Sequence, residues 1–248
     1  LANMGERFGY YIMNAVLVLF LCSKFGLSEA ASGTIYSFFY AGIYILSLVG
    51  GLIADRTQNY KGTIKTGLVV MATGYIILSI PILATAANTT WLLTLTCFAL
   101  FLIAFGNGLF KGNLQALVGQ MYDDPKYSSL RDSGFQIFYM FINIGGFFAP
   151  WIAIGVRNWW LKVNNFDYDA TLPELCHQFL KEGDKMAPQA MENLTSLAEK
   201  VTLDGSHVAD MGAFVNNYLD VFNRGFQYAF MALSLIHISE PTRRVVIS

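Results

Sequence analysis

Residues 5–11 read Gly-Glu-Arg-Phe-Gly-Tyr-Tyr and continue directly into an apolar run at 12–21, Ile-Met-Asn-Ala-Val-Leu-Val-Leu-Phe-Leu. Such a run suits the hydrocarbon interior of a bilayer, where an ionised side chain at a helix centre costs about 2.5–3.5 kcal/mol. Glu6 and Arg7 therefore have one of two roles. Either they line a functional cavity inside the membrane, or they lie among the headgroups and anchor the helix.

The composition of the whole chain agrees with a membrane protein. Hydrophobic residues make up 54% and charged residues only 13%, whereas a soluble domain has about 25% charged residues. Five apolar segments reach the roughly 20 residues that a helix needs to cross a bilayer. They lie at 1–23, 31–54, 64–87, 91–121 and 134–156, and a sixth begins near Gly225. We therefore predict an all-α integral membrane fold.

The end of the chain interrupts the sixth segment. Residues 233–243 read LSLIHISEPTR, which resembles the translation of a common transposon sequencing adapter. We expect the genuine protein to end near Ala232, so that 224–232 is the start of helix 6 and 233–248 is an artefactual tail. The chain also starts at Leu1 inside a predicted helix, which indicates a fragment.

The distribution of charge predicts the orientation in the membrane. Basic residues follow helix 2 (Arg56, Lys61 and Lys65) and helix 4 (Lys126 and Arg131), and cytoplasmic links are enriched in such residues. This places the segment after helix 5 outside the cytoplasm.

That segment, residues 157–223, is the only long polar stretch of the sequence. Its residues 158–223 contain ten acidic residues and four lysines, a net charge of −6. Apolar residues at helical spacing predict helices near 173–182 and 188–201. We expect an external acidic helical insertion on the periplasmic side; a loosely ordered loop is the alternative.

Polar side chains form stripes on four of the predicted helices. A single stripe is often interhelical glue, but three or four in one bundle, two of them charged, predict a lined cavity. Lys111 is too far from either interface to snorkel easily, so it needs an anion, either Glu6 or a substrate carboxylate. For Tyr36 and Tyr40, simple aromatic packing is the favoured reading. The stripes are Asn3, Glu6, Arg7, Tyr10, Tyr11 and Asn14; Tyr36, Tyr40 and Tyr44; Asn107, Lys111 and Gln115; and Gln136, Tyr139 and Asn143.

Helix 2 closes with Gly-Gly-Leu-Ile-Ala-Asp-Arg at 50–56. Asp55 at a cytoplasmic helix end can pair with a neighbouring Arg or Lys and so hold one conformation of a rocking bundle. A topology anchor is the alternative.

The sequence does not support an enzyme. Cys22, Cys97 and Cys176 are scattered and lack metal-ligand spacing. No nucleophile–base pair or phosphate-binding loop is visible. We therefore expect no catalytic residue, metal, cofactor or nucleic-acid partner.

Four motifs together resemble one family. Residues 6–11, Glu-Arg-Phe-Gly-Tyr-Tyr, resemble the first-helix signature of the proton-dependent oligopeptide transporters of the major facilitator superfamily. Residues 50–56 and 106–113 resemble the motifs of helices 2–3 and 4. Residues 134–139, with 142–145 and Pro150, resemble the helix-5 signature. The motifs follow the family order across residues 1–156.

The resemblance implies a twelve-helix fold of two six-helix halves, with substrate held between them. This chain would cover the N-terminal six-helix bundle, with helix 6 truncated. The implied function is proton-coupled symport of di- and tripeptides by alternating access across the inner membrane, by a protein that is a monomer at full length. The peptide, the proton and the lipid bilayer are the implied partners. By the same resemblance, Glu6 and Lys111 would couple protons, and Asp55 and Arg56 would act in gating. The implied peptide-binding residues are Arg7, Tyr10, Tyr11, Tyr44, Lys111 and Asn143.

The chain also departs from the family pattern. Asn3 stands where the family usually has a second Glu, Asn14 where it often has a basic residue, and Gly112 where a Pro usually follows the lysine. The alternative function is therefore a relative that carries nitrate or another small anion, or one with altered proton coupling.

Overall fold

The computed structural model describes residues 2–85, 87–204 and 208–242. Within these ranges the chain forms eight α-helices and no strand. Their bounds are α1 (Ala2–Phe25), α2 (Glu29–Thr57), α3 (Tyr60–Leu78), α4 (Thr89–Gln120), α5 (Arg131–Val163), α6 (Leu172–Glu182), α7 (Pro188–Val201) and α8 (Met211–Thr242).

Local signals set several helix ends. Ser28 begins α2 by accepting the backbone N–H of Ala31, and Asn59 begins α3 by accepting that of Gly62. The sequence prediction for helix 3, which extended to residue 87, is wrong. The helix ends at Leu78, shortly before Pro81, which has no backbone N–H to continue the ladder.

Four helical segments are long and apolar enough to cross a membrane. They are Asn3–Phe25, Glu29–Thr57, Thr89–Gln120 and Ser128–Val163. The fifth predicted crossing, α3, has only 19 residues and carries Lys61 and Lys65 near its start. The prediction of an all-α membrane fold is confirmed.

Glycines allow α3 and α4 to touch through their backbones. A Cβ atom added at Gly67 would lie 2.6 Å from the carbonyl oxygen of Gly106, and one added at Gly106 would lie 2.5 Å from that of Gly67. A Cβ at Gly74 would lie 2.8 Å from the carbonyl oxygen of Ala99. In a bilayer, where lipid is as apolar as the side chains, such close approach drives helix association.

Residues 164–204 and 208–210, which include α6 and α7, form a small helical cap. The structure has helices at Leu172–Glu182 and Pro188–Val201, close to the predicted 173–182 and 188–201. Cys176 and Leu194 are fully buried, together with Tyr218 of α8. The cap is therefore packed against the first turns of α8 rather than loosely ordered.

The expected boundary of helix 6 needs correction. That helix, α8, begins at Met211 instead of near 224, because the apolar spacing through Tyr218 and Phe222 buries its first turns against the cap. It continues as far as Thr242, and Leu233 is buried. Residues 243–248 lie outside the described part of the chain, and an artefactual origin for 233–248 stays a prediction.

The end of α1 holds the cap through one carbonyl group. The backbone carbonyl oxygen of Ser23 accepts a hydrogen bond from His177 Nε2 of the cap at 2.6 Å. It accepts a second hydrogen bond from Asn223 Nδ2 of α8 at 3.2 Å. Gly26 lies directly beneath the His177 ring with φ +62, and a Cβ atom there would be 2.8 Å from the ring's Cγ. A side chain at this position would therefore be strained and would displace the histidine.

Candidate functional site

The first turns of α1 hold a buried ion pair. Glu6 is 2% exposed and Arg7 is 7% exposed. Arg7 Nε lies 2.6 Å from Glu6 Oε2. A charge removed from water needs a partner of opposite sign and further hydrogen bonds. The adjacent guanidinium meets the first need, so the pair is part of the bundle interior.

The second partner of Glu6 comes from α4. Asn107 Nδ2 donates a hydrogen bond to Glu6 Oε1 at 2.5 Å, and Asn107 is 3% exposed. The sequence placed Asn107 in the polar stripe of helix 4 but did not identify it as a partner of Glu6. Its position one turn before Lys111 was the available signal.

Lys111 lies beside this pair, at the edge of the bundle. Its Nζ is 4.4 Å from the centre of the Tyr44 ring, and Tyr44 is 56% exposed. Lys111 interacts electrostatically with both Glu6 and Arg7. The cation that forms an ion pair with Glu6, however, is Arg7 and not Lys111. Arg7 is adjacent to Glu6 in the sequence.

Aromatic side chains surround the guanidinium. Arg7 Cζ lies 5.1 Å from the Tyr10 ring centre, a cation–π geometry, and Tyr10 packs edge-on against Tyr11. Tyr40 contacts Tyr10 and Tyr36, as expected for aromatic packing. The Tyr36 hydroxyl also donates to an amide of α1, Asn14 Oδ1, at 2.7 Å.

Asn143 lies elsewhere on the surface. It is exposed and lines a shallow groove of about 640 Å³ on α5, together with Gln136, Tyr139 and several apolar side chains. Gln115 of α4 reaches this groove through a long contact of 3.5 Å with the Tyr139 hydroxyl. The predicted peptide-binding residues thus occupy two regions, the Arg7–Lys111 region and the α5 groove.

Asp55 and Arg56 lie at the end of α2, both exposed. The expected partner of Asp55 was an Arg or Lys. The structure instead shows the Tyr60 hydroxyl donating to Asp55 Oδ1 at 2.7 Å. The reason is the tight turn at Gln58, whose φ of 51 folds α3 back onto the end of α2.

The charges near Glu6 do not balance. One carboxylate faces two cations, Arg7 and Lys111, which leaves an excess positive charge on the open side of the site. Such an excess attracts an anion.

Among the residues that the structure describes, no group of three or more His, Cys, Asp or Glu side chains is placed to hold a metal ion.

Known proteins are similar to this chain in sequence. A family profile described as the POT family matches residues 61–169. "Dipeptide and tripeptide permease A" from Cronobacter turicensis is 38% identical over 157 residues, which is 61% of this chain and 29% of that permease. The permease of the same name from Escherichia coli K12 is 36% identical over the same shares. The resemblance to the POT family is confirmed.

Solved structures extend the likeness to the fold. A crystal structure of a mutant peptide transporter POT in complex with sulfate has a TM-score of 0.54 and 26% identity, covering 96% of this chain and 43% of that one. A bacterial homologue of human drug peptide transporters has a TM-score of 0.57 at 23% identity. This chain therefore spans less than a third of the length of those two permeases and under half of the length of the solved chain in complex with sulfate. These relatives are permeases and not enzymes.

Proposed function

We propose that the full-length protein carries out proton-coupled symport of di- and tripeptides by alternating access. The observation that carries this proposal is the buried Glu6, held by Arg7 and Asn107 with Lys111 nearby. The similarity to dipeptide and tripeptide permeases supports the choice of peptides.

Charge balance provides a physical basis for coupling. With Glu6 ionised, the site carries one excess positive charge; with Glu6 protonated, it carries two. A peptide carboxylate at Lys111 is therefore bound more tightly when Glu6 holds a proton. By thermodynamic linkage the peptide strengthens proton binding by the same factor. Proton and peptide then move together.

The remaining predicted residues have roles on the peptide side and at the cytoplasmic end. Arg7, Tyr10 and Tyr11 would contact the backbone of the peptide, and the Tyr44 ring would orient the Lys111 ammonium through its cation–π contact. Asn143 would bind the peptide from the α5 groove. Asp55 and Arg56 would act in gating at the end of α2.

Glu6 would carry the proton coupling of helix 1 alone. Asn3, one turn earlier, is buried and supplies an amide where the family usually has an acid. An amide does not titrate, so a single carboxylate remains on this face of α1. One proton per transport cycle through helix 1 is the simplest stoichiometry.

We further propose that the protein is a monomer in the inner membrane with the cap on the periplasmic side. The basic residues at 56–65 and 126–131 support this orientation through the positive-inside rule. The cap, bound to α1 through Ser23 and His177, would then move as one body with this half of the transporter.

Uptake by the full-length protein in proteoliposomes tests the proposal. A labelled dipeptide is expected to accumulate when the outside is acidic, and Glu6→Gln is expected to abolish this driven uptake while leaving peptide exchange at zero gradient intact. Exchange serves as the control for folding and peptide binding. Wild-type uptake that is indifferent to the gradient would disprove the coupling.

A small inorganic anion is the second candidate substrate, because the excess positive charge at Arg7 and Lys111 also suits such an ion. Thermal stabilisation by a panel of dipeptides and anions, including nitrate, separates the two. Stabilisation by anions alone would favour this second candidate.

A further inference from the structure

The amide of Asn107 forms a hydrogen bond through its nitrogen but not through its oxygen in the described part of the chain. Its Nδ2 donates to Glu6 Oε1 at 2.5 Å, while its Oδ1 is buried and has no hydrogen-bond partner among the residues that the structure describes. A buried acceptor without a donor costs free energy, and native structures contain few of them. An unpaired carbonyl oxygen beside a functional carboxylate therefore requires an explanation.

The two protonation states of Glu6 need opposite partners. An ionised carboxylate only accepts hydrogen bonds, whereas a carboxylic acid also carries one O–H that must donate. The cations near Glu6 do not meet the second need, because Arg7 and Lys111 have donors but no acceptor. An asparagine amide has both, and a half-turn about its Cβ–Cγ bond exchanges them.

We propose that Asn107 is the positioning residue for the proton on Glu6 and that its amide reverses when Glu6 is protonated. In the ionised state the NH₂ group donates to the carboxylate, as the structure shows. In the protonated state the Oδ1 atom accepts from the new O–H group. Glu6 thus keeps one partner through the whole cycle without leaving its place on α1. The role in transport rests on the proposed function, while the contact itself does not.

Other ionisable groups face Glu6 from the packed helices. Arg7 is on α1 itself, Lys111 is on α4, and Tyr75 of α3 interacts electrostatically with Glu6. His237 of α8 stacks on Tyr75. On α5, the residue against this part of α1 is Gly145, which brings no charge.

A neighbouring asparagine provides a matched control. Asn113, also on α4 and also buried, donates to the backbone carbonyls of Gly50 and Leu109 at 3.0 and 2.8 Å. Asn107→Leu and Asn113→Leu each remove one buried amide from the same helix. Only the first removes a partner of Glu6.

Infrared difference spectroscopy of the full-length protein measures the contact directly. The C=O stretching band of protonated Glu6 is identified by its loss in Glu6→Gln and is then titrated with pH. A hydrogen bond to a charged group is roughly twice as strong as one between neutral groups, so the Asn107 amide stabilises ionised Glu6 more than protonated Glu6. Asn107→Leu is therefore expected to move the midpoint of the Glu6 titration upward by about one pH unit. The band at low pH is also expected to change frequency, because the acid loses its acceptor. Asn113→Leu is expected to change neither.

Transport gives the second readout. The external pH at half-maximal dipeptide uptake is expected to move upward in Asn107→Leu in step with the infrared midpoint. If Asn107→Leu does not fold, Asn107→Ala removes the same amide by truncation and is measured in its place. Wild-type uptake without a gradient response would disprove the proposed function, and the infrared titration would still decide the inference.

Two results would overturn the inference. An unchanged midpoint in the Asn107 variant would show that the amide does not support the carboxylate. A shifted midpoint with an unchanged band at low pH would show that the amide does not reverse.

Discussion

Two adjacent glycines of α2 have opposite surroundings, and alanine at each provides a test of the packing. A Cβ atom at Gly50 would lie 2.3 Å from the carbonyl oxygen of Gly108 and 2.9 Å from the Cα of Leu109. Both are backbone atoms of α4, which cannot move as a side chain can. At Gly51 no atom of the described part of the chain lies within 4 Å of the added atom.

The magnitude follows from these distances. Carbon contacts are optimal near 3.5–4.0 Å, so Gly50→Ala must push α2 and α4 apart by roughly 1 Å, which forfeits up to about half of the local dispersion energy. Overpacking of this kind costs about 1–3 kcal/mol. The gain in helix propensity from Gly to Ala, about 1 kcal/mol, is the same at both positions. The difference between the two variants therefore isolates the steric cost.

Thermal unfolding of the purified full-length protein in detergent measures that difference. Gly50→Ala is expected to unfold about 2 °C below Gly51→Ala, since an unfolding entropy of about 2.1 cal/mol/K per residue makes 1 kcal/mol correspond to only about 1 °C in a chain at least twice as long as this one. Gly33→Ala, on the same helix and also without a neighbour within 4 Å in the described ranges, is the second control. Equal melting temperatures for Gly50→Ala and Gly51→Ala would refute the close contact between α2 and α4.

Two further predictions concern the cap. Burial lowers the pKa of His177 from its ordinary value, so below about pH 6.5 the unfolded chain binds a proton that the folded chain refuses. The melting temperature is expected to fall from pH 7 towards pH 5, and less so in His177→Gln, which keeps a donor for Ser23 but does not titrate; an equal fall in both would contradict this role. The second prediction tests the orientation in the membrane by labelling single cysteines in a Cys97→Ser background. Glu192→Cys is expected to react with an impermeant maleimide from outside the cell, and Lys61→Cys only after permeabilisation. The reverse pattern would overturn the proposed orientation.

Features that reside in one continuous segment were predictable. The lengths of the apolar runs, the adjacency of Glu6 and Arg7 and the helices of the cap all follow from local spacing and composition. The helix-3 boundary was missed because apolar composition continues past Pro81, while backbone hydrogen bonding does not.

Contacts between distant segments were not predictable from one sequence. The Asn107–Glu6 hydrogen bond joins residues 101 positions apart, and the His177–Ser23 contact joins residues 154 apart. The separation of Asn143 from the Arg7–Lys111 region is of the same kind. Each depends on how far a helix is rotated about its axis when it packs.

The sequence by itself determined that this chain forms membrane-length helices with polar stripes, because helix formation and bilayer insertion depend on the residues of each segment alone. Only the tertiary structure decided which stripes meet. Glu6 lies between Arg7 and Asn107, with Lys111 beside them against the Tyr44 ring, because glycine contacts such as Gly67–Gly106 and Gly50–Gly108 set the distances and rotations of the helices. Those contacts turn a row of polar residues into a site with a defined charge.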